Sequence, residues 1–222
     1  MNEFLTACQD GNIDIVKQLL PQIDPCIENN YAIRYAAENG RKDILQILLK
    51  DSRINPSAQY NWAILCAAEN GHKDVVELLL QDSRVSLSAQ DNWIIKLAAD
   101  NGHLHVVELL LRINTVDSSA EDNEVIIRAA ENGHKNVVEL LLGDQRVDPS
   151  AQNNQAIRWA AENGHKDVVE LLLQDSRVDS SAQNNYAIKW AAQNGHWDIV
   201  ELLEQHSYKI DKVCYFKFAS QL

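Results

Sequence analysis

The sequence predicts an all-α protein in which short helix-loop-helix repeats stack into a solenoid. The first observation is the repeat: an Asn-Gly step, or Asp-Gly in the first copy, recurs with a spacing of 29 residues and then of 31 residues five times. The second is the helical spacing of apolar residues around each of these steps. One such unit cannot bury its apolar side alone, so neighbouring units are expected to stack. The seven glycines are Gly11, Gly40, Gly71, Gly102, Gly133, Gly164 and Gly195.

Each repeat is expected to begin with a short first helix. In the six later repeats Ile, Ala and Ala lie seven, four and three residues before the glycine, as in Ile64, Ala67 and Ala68. This i, i+3, i+4 spacing places the three on one face of a helix, which predicts its buried side. The asparagine ten residues before the glycine, such as Asn61, is a candidate N-cap, and the Asn-Gly step suits the C-terminal cap.

A second helix is expected after each glycine. The run Val-Val-Glu-Leu-Leu-Leu, or a close relative of it, forms a wide apolar arc, and charged residues such as Lys73, Asp74 and Glu77 cluster on the remaining side. The repeated glutamates are interpreted as a solvated face, because they lie one repeat apart and are not paired acids.

A histidine follows five of the glycines, one per repeat (His72, His103, His134, His165 and His196). Stacked helices lie ~8–10 Å apart, whereas zinc binds nitrogen ligands at ~2.0–2.1 Å. Equivalent histidines of neighbouring repeats therefore cannot share an ion, and each is expected to form a hydrogen bond with neighbouring backbone. No phosphate-binding, dinucleotide-binding or hydrolase motif is present, so the sequence predicts no catalytic residue, no metal site and no cofactor.

A unit such as AIRWAAENGHKDVVELLL, residues 156–173, resembles the ankyrin repeat. Ala-Ile-Arg-x-Ala-Ala stands where that family has Pro-Leu-His-x-Ala-Ala, and x-Gly-His and Val-Val-x-Leu-Leu-Leu follow. The period of 31 is shorter than the family's ~33 residues, and the family's Gly-Ala and Asp-Gly of the inter-repeat hairpin are absent. The resemblance implies an ankyrin-type solenoid with remodelled or shortened β-turns, similar to the ankyrin arrays of giant viruses of amoebae and of some protists.

The repeat boundaries predict a single ankyrin repeat domain over residues 1–210, followed by a tail over 211–222 that is expected to fold over the last repeat. The alternative for the tail is a docking segment. The seven predicted repeats are 1–29 as the N-terminal cap, 30–60, 61–91, 92–122, 123–153, 154–184, and 185–210 as the C-terminal cap.

The outer side of the first helices is the candidate binding surface. Positions nine, six, five and two before the glycine project away from the Ile-Ala-Ala stripe, and they vary most among the copies. Four of the five tryptophans occur there, interleaved with basic residues, which is typical of binding surfaces. Packing of the same side chains against the next repeat is the alternative. The candidate partner-binding residues are Tyr31, Tyr35, Trp62, Trp93, Lys96, Leu97, Glu124, Arg128, Arg158, Trp159, Tyr186 and Trp190.

Repeats four and five are expected to contribute the most discriminating contacts. There Leu104 and His105 replace Lys-Asp, and Glu124, Ile127 and Arg128 change the first helix. Drift of this kind is expected in end repeats and is less easily explained inside an array.

A net charge of −12 and a pI near 4.9 argue against nucleic acid as a partner. No apolar segment is long enough to span a membrane, and the first residues show no signal-peptide pattern. The cysteines show no paired spacing, which favours a reducing, intracellular compartment. We expect a cytoplasmic monomer, located in the host-cell cytoplasm if the protein is viral.

The resemblance implies a scaffold or adaptor that binds an unidentified protein on the concave face formed by the first helices. The acidic charge is compatible with a partner that carries a basic patch. The alternatives are a structural element that self-associates through its tail and, third, an enzyme.

Overall fold

The structure, a computed structural model, describes residues 2–85, 87 and 92–207. Within these residues every regular element is a helix, so the predicted all-α fold class is confirmed. The first helices of the repeats are α1 (Asn2–Asp10), α3 (Ile27–Glu38), α5 (Ala58–Glu69), α7 (Trp93–Asp100), α9 (Ala120–Glu131), α11 (Ala151–Glu162) and α13 (Ala182–Gln193). The second helices are α2 (Ile13–Leu19, continued by a 3-10 turn over Leu20–Gln22), α4 (Lys42–Leu49), α6 (Lys73–Leu80), α8 (Leu104–Leu111), α10 (Lys135–Leu142), α12 (Lys166–Leu172) and α14 (residues 197–207).

The chain forms two compact units, one ending at Asp117 and the other beginning at Ser118. In the first unit α1, α3, α5 and α7 pack in sequence, and α2, α4, α6 and α8 pack beside them. In the second unit α9, α11 and α13 pack in the same way, and α10 contacts α12. In each unit, first helices therefore pack on first helices and second helices on second helices, as a helical solenoid requires.

The core lies where the apolar spacing predicts it. Ile64, Ala67 and Ala68 of α5 are at most 1% exposed, and so are Val76 and Leu79 of α6. The same positions are buried in the other described inner repeats. The small alanines let neighbouring first helices approach closely, because they add little volume between the two backbones.

The Asn-Gly step ends each first helix as predicted. After α5 the backbone N–H of His72 donates to the carbonyl of Ala67 (2.8 Å), and that of Gly71 donates to Ala68 (3.2 Å). These two bonds form a Schellman motif, which requires a left-handed residue at the glycine position. Gly71 supplies it with a φ of 75°.

Asn92 occupies the predicted N-cap position of α7, whereas α3, α9, α11 and α13 begin after Cys26, Ser119, Ser150 and Ser181. Asn92 makes no capping hydrogen bond at the start of α7. Its Oδ1 instead accepts from the backbone N–H of Asp117, 25 residues later, at 2.9 Å. Asn30, Asn123 and Asn154 accept in the same way from Asn55, Asp148 and Asp179 at 2.9, 2.7 and 2.7 Å. Each of these asparagines therefore fastens the loop that follows the second helix of its own repeat.

A left-handed turn replaces the strand-containing hairpin at the start of several first helices. In residues 59–61, 121–123, 152–154 and 183–185, φ lies between 51° and 66°. No strand occurs between repeats in the described part of the chain, which confirms the predicted remodelling of the turns. Left-handed backbone costs an L-residue ~1–2 kcal/mol, least for Asn and Asp. The predicted tail, 211–222, lies outside the described residues.

Candidate functional site

In the first unit the outer side of the first helices carries aromatic rings and cations in contact with one another. The rings of Tyr31 and Tyr35 lie 4.9 Å apart, one turn apart on α3. The guanidinium of Arg34 lies 4.2 Å from the Tyr31 ring centroid and 5.8 Å from that of Trp62 on the next first helix. The predicted candidates Tyr31, Tyr35 and Trp62 thus lie on one surface, joined by Arg34.

Trp93 continues this surface on α7. The Lys96 ammonium lies 4.3 Å from the centroid of the Trp93 ring. Trp62 and Trp93 are 48% and 52% exposed, so each indole is half available to a ligand. Such cations over indole faces are attracted by the ring quadrupole.

An apolar pocket of about 390 Å³ opens between α5 and α7. Its walls include Tyr60, Trp62, Leu65, Glu69, Trp93 and Leu97. Cys66 also lines it, and burial raises the pKa of this thiol to about 11, so the thiol is uncharged at neutral pH. Glu69 is the one formally charged residue among the described lining residues. A pocket of this size accepts one large side chain.

In the second unit the charged side chains on the outer side of the first helices form ion pairs with one another. Arg128 bonds Glu124 at 2.6 Å and Glu131 at 2.8 Å, and its guanidinium lies 5.5 Å from the Trp159 ring centroid. The predicted candidates Glu124, Arg128 and Trp159 therefore contact one another, and Glu124 and Arg128 are largely engaged within the protein.

Between α11 and α13 an arginine again lies near an aromatic ring of the next first helix. Arg158 donates to the carbonyls of Gln152 and Asn153 and lies 4.9 Å from the Tyr186 ring centroid. The Tyr186 hydroxyl donates to Glu162 at 2.9 Å. The Tyr186 and Trp190 rings are 5.5 Å apart. These aromatic side chains thus contact neighbouring helices and remain partly exposed, so both interpretations of them stay open.

The histidines tie neighbouring repeats together. His103 Nε2 lies 2.7 Å from the carbonyl oxygen of Glu69 in the preceding repeat. A carbonyl only accepts, so Nε2 carries the hydrogen and donates. The equivalent distances are 2.9 Å for His72 and Glu38, 2.8 Å for His165 and Glu131, and 3.1 Å for His196 and Glu162. The predicted backbone hydrogen bond is confirmed at these four histidines.

Each of these four imidazoles also packs on the glycine of the preceding repeat. A Cβ added to Gly71 would lie 2.5 Å from His103 Nδ1, so a larger residue there would displace the ring. Among the described residues no group of three or more histidine, cysteine or acidic side chains is placed to hold a metal ion.

An Asp-x-Arg clasp forms a second tie between repeats. Arg84 bonds Asp82 at 2.6 Å and reaches back to the carbonyls of Leu49 (2.8 Å) and Ile54 (2.9 Å) in the preceding repeat. Leu49 is the last residue of α4, where unsatisfied carbonyls make a helix end negative. The guanidinium holds the pKa of Asp82 below its usual value, chiefly through their hydrogen bond.

Repeat four departs from this clasp. Asp51 with Arg53, Asp144 with Arg146 and Asp175 with Arg177 form the same side-chain pair. In repeat four the two positions hold Ile113 and Thr115, neither of which can form an ion pair. The junction between α6 and α8 therefore lacks the guanidinium that the other clasps supply.

These contacts hold neighbouring helix pairs in register, and comparison with known protein families identifies the type of repeat that the helix pairs form. A family model described as ankyrin repeats (3 copies) matches residues 4–91, 64–153, 95–184 and 126–214. The chain belongs to the ankyrin repeat family. No curated protein matches the sequence closely enough to count as a relative. Ankyrin repeats are generally protein–protein interaction modules and a non-catalytic scaffold. No described helix of this ankyrin array is long and apolar enough to cross a membrane.

The ankyrin structure corrects two sequence-based expectations about exposure. Ile127 is 1% exposed and Cys66 is 6% exposed, although their positions were expected to face outward. A helix has no sharp boundary between faces, and apolar side chains at the edge of the outer side turn toward the neighbouring helix. Ile127 therefore cannot supply the contact expected of it in repeat five.

Tyr60, Arg41 and Glu69 were missed by the sequence analysis. Tyr60 is 92% exposed at the rim of the pocket, where the equivalent residue of repeats six and seven is asparagine. Arg41 occupies the histidine position of repeat two, and its Nε donates to the carbonyl of Gln9 at 2.8 Å. A comparison of every position among the repeats, and not only of the four outer positions, would have identified Tyr60.

Proposed function

We propose that this ankyrin array is a scaffold that binds a protein partner on the outer side of its first helices. The observation that carries the proposal is the pocket between α5 and α7, with half-exposed indoles at Trp62 and Trp93. Buried tryptophans in desolvated pockets dominate the energy of protein interfaces. A partner side chain inserted between the two helices would bury both indoles further.

Partner capture tests this proposal. The wild-type protein and its Trp62→Ala variant are immobilised and exposed to an extract of the source cells, and the retained proteins are quantified by mass spectrometry. Trp197, which is 67% exposed at the start of α14, provides the matched control Trp197→Ala. We expect a protein that is retained by the wild type and by Trp197→Ala and is lost with Trp62→Ala, because hot-spot truncation costs at least ~2 kcal/mol, or about thirtyfold in affinity.

Thermal melting of the same variants separates binding from packing. Trp62 is half exposed, and the one contact of its ring that the structure describes is with the guanidinium of Arg34, 5.8 Å from the ring centroid. Its truncation is therefore expected to lower the melting temperature only slightly. A large loss of melting temperature, or equal capture by both variants, would contradict the proposal.

The proposal places the protein in the cytoplasm. Cys8, Cys26 and Cys66 are free thiols in the structure. A reducing compartment maintains thiols in this state. Localisation of a tagged full-length chain by fluorescence microscopy tests this placement.

A further inference from the structure

The pocket lies at a junction of first helices that lacks an arginine present at two other junctions. In two described junctions an arginine of one first helix covers the aromatic ring that lies 28 residues later. Arg34 covers Trp62 at 5.8 Å, and Arg158 covers Tyr186 at 4.9 Å. At the junction of α5 and α7 the arginine position holds Leu65, and the ring 28 residues later is Trp93. The described helix α5 contains no arginine that could lie over Trp93, and the pocket lies at this junction.

The lining of the pocket suits a cation with an apolar stem. Leu65 and Leu97 offer aliphatic surface, and Tyr60, Trp62 and Trp93 offer aromatic rings. Glu69 supplies the negative charge, and no bond to its carboxylate occurs within the described residues. Arg128, by contrast, binds Glu131, which is the residue equivalent to Glu69 in repeat five.

We propose that the pocket between α5 and α7 receives an arginine side chain of the protein partner, which fills the position that Arg34 and Arg158 fill in their own junctions. The guanidinium stacks on the indole of Trp93 and pairs with the Glu69 carboxylate, while its methylene stem lies on Leu65. Arginine suits this site better than lysine, because its planar group stacks on rings, binds carboxylates in a bidentate manner and is weakly hydrated. The inference rests on the proposed docking function and names the chemistry of the docked residue.

The chain's own charge is consistent with this assignment. The net charge of −12 favours a basic partner segment during encounter. Lys96 lies 4.3 Å from the Trp93 ring centroid, which shows that this indole already attracts a cation from its own helix. The partner's guanidinium would take the place on the side of the preceding repeat, where α5 contributes Leu65.

The test uses the full chain and a small probe. Acetyl-arginine methylamide is titrated against the protein, and the indole N–H signals of Trp62 and Trp93 are followed by nuclear magnetic resonance. Acetyl-citrulline methylamide, which has nearly the same shape and no charge, is the matched probe. We expect arginine to bind about tenfold more tightly than citrulline, since a desolvated cation–π contact and an ion pair are lost with the charge.

Two variants with matched controls sharpen the test. Leu65→Arg supplies the missing guanidinium from the chain itself and is expected to abolish probe binding. Gln46→Arg adds the same charge on the exposed side of α4 and is expected to leave binding unchanged. Glu69→Gln is expected to weaken binding about fivefold, and Glu77→Gln, which removes an exposed charge from α6, serves as its control.

The arginine assignment is overturned if citrulline shifts the two signals as strongly, if Leu65→Arg leaves the probe bound, or if the arginine probe moves neither signal. A stronger response to acetyl-norleucine methylamide would instead identify an apolar anchor. None of these outcomes contradicts the proposal that the array binds a protein partner, because that proposal is tested separately by partner capture with Trp62→Ala.

Discussion

Removing one arginine of an Asp-x-Arg clasp is expected to destabilise the first unit far more than removing an exposed arginine of the same unit. Arg84 donates to Leu49 and Ile54 of the preceding repeat at 2.8 and 2.9 Å. Hydrogen bonds to charged groups contribute ~1.5–3 kcal/mol each. Because the Arg84 side chain is 35% exposed, solvent screening reduces this contribution. We therefore expect Arg84→Ala to lower the free energy of unfolding by about 1–3 kcal/mol.

Urea unfolding followed by far-ultraviolet circular dichroism measures this change. The matched control is Arg112→Ala, because Arg112 is 71% exposed and its pair with Glu108 spans one helical turn. Such pairs contribute only ~0.3–0.5 kcal/mol. Repeat arrays can unfold in stages, so the whole transition is compared between variants, including its slope. Equal losses for the two variants would refute the view that the clasp fastens one repeat to the next.

Three further predictions follow from the ties between repeats. Installing the missing clasp as Ile113→Asp with Thr115→Arg is expected to raise the urea midpoint, and a lower midpoint would show that repeat four does not accept it. His103→Ala is expected to cost about 1–2 kcal/mol in urea unfolding, since it removes a backbone hydrogen bond and opens a void, whereas His105→Ala, at a side chain 77% exposed, should cost little. Hydrogen bonding to its arginine lowers the pKa of Asp144 from 3.8 to about 2, so its contribution to stability is complete above about pH 4 and is lost as the pH falls through 2. Melting temperatures measured from pH 5 to 2 should therefore fall less for Asp144→Asn than for the wild type, and parallel curves would contradict this.

Much of the fold follows from the repeat alone. The alanines of each first helix and the valines and leucines of each second helix lie on one side at helical spacing, and both sets are buried in the structure. The glycine of each Asn-Gly step has a left-handed backbone, as a helix-terminating turn demands. These features depend on neighbours within one turn of chain, so periodicity is enough to predict them.

The candidate surface was predicted less completely. Trp62, Trp93 and Leu97 were expected on the outer side, and all three line the pocket. Tyr60 was not expected there, because its place depends on the left-handed turn at the start of α5. Glu69 was assigned to no site, because its two roles depend on contacts with the next repeat. Its carbonyl accepts from His103, and the residue lines the pocket.

The local periodicity of the sequence thus accounts for the helices, their buried sides and the family. It could not show that Asn92 accepts from Asp117, that Arg84 reaches the end of α4, or that Leu65 leaves a pocket beside Trp93. These pairs of residues lie about 25 to 35 positions apart and come together only when the helices of one repeat have packed or when one repeat has stacked on another. Burial is determined by spacing along a helix, whereas the partner of a polar or aromatic side chain is determined by the packing of elements that are distant in sequence.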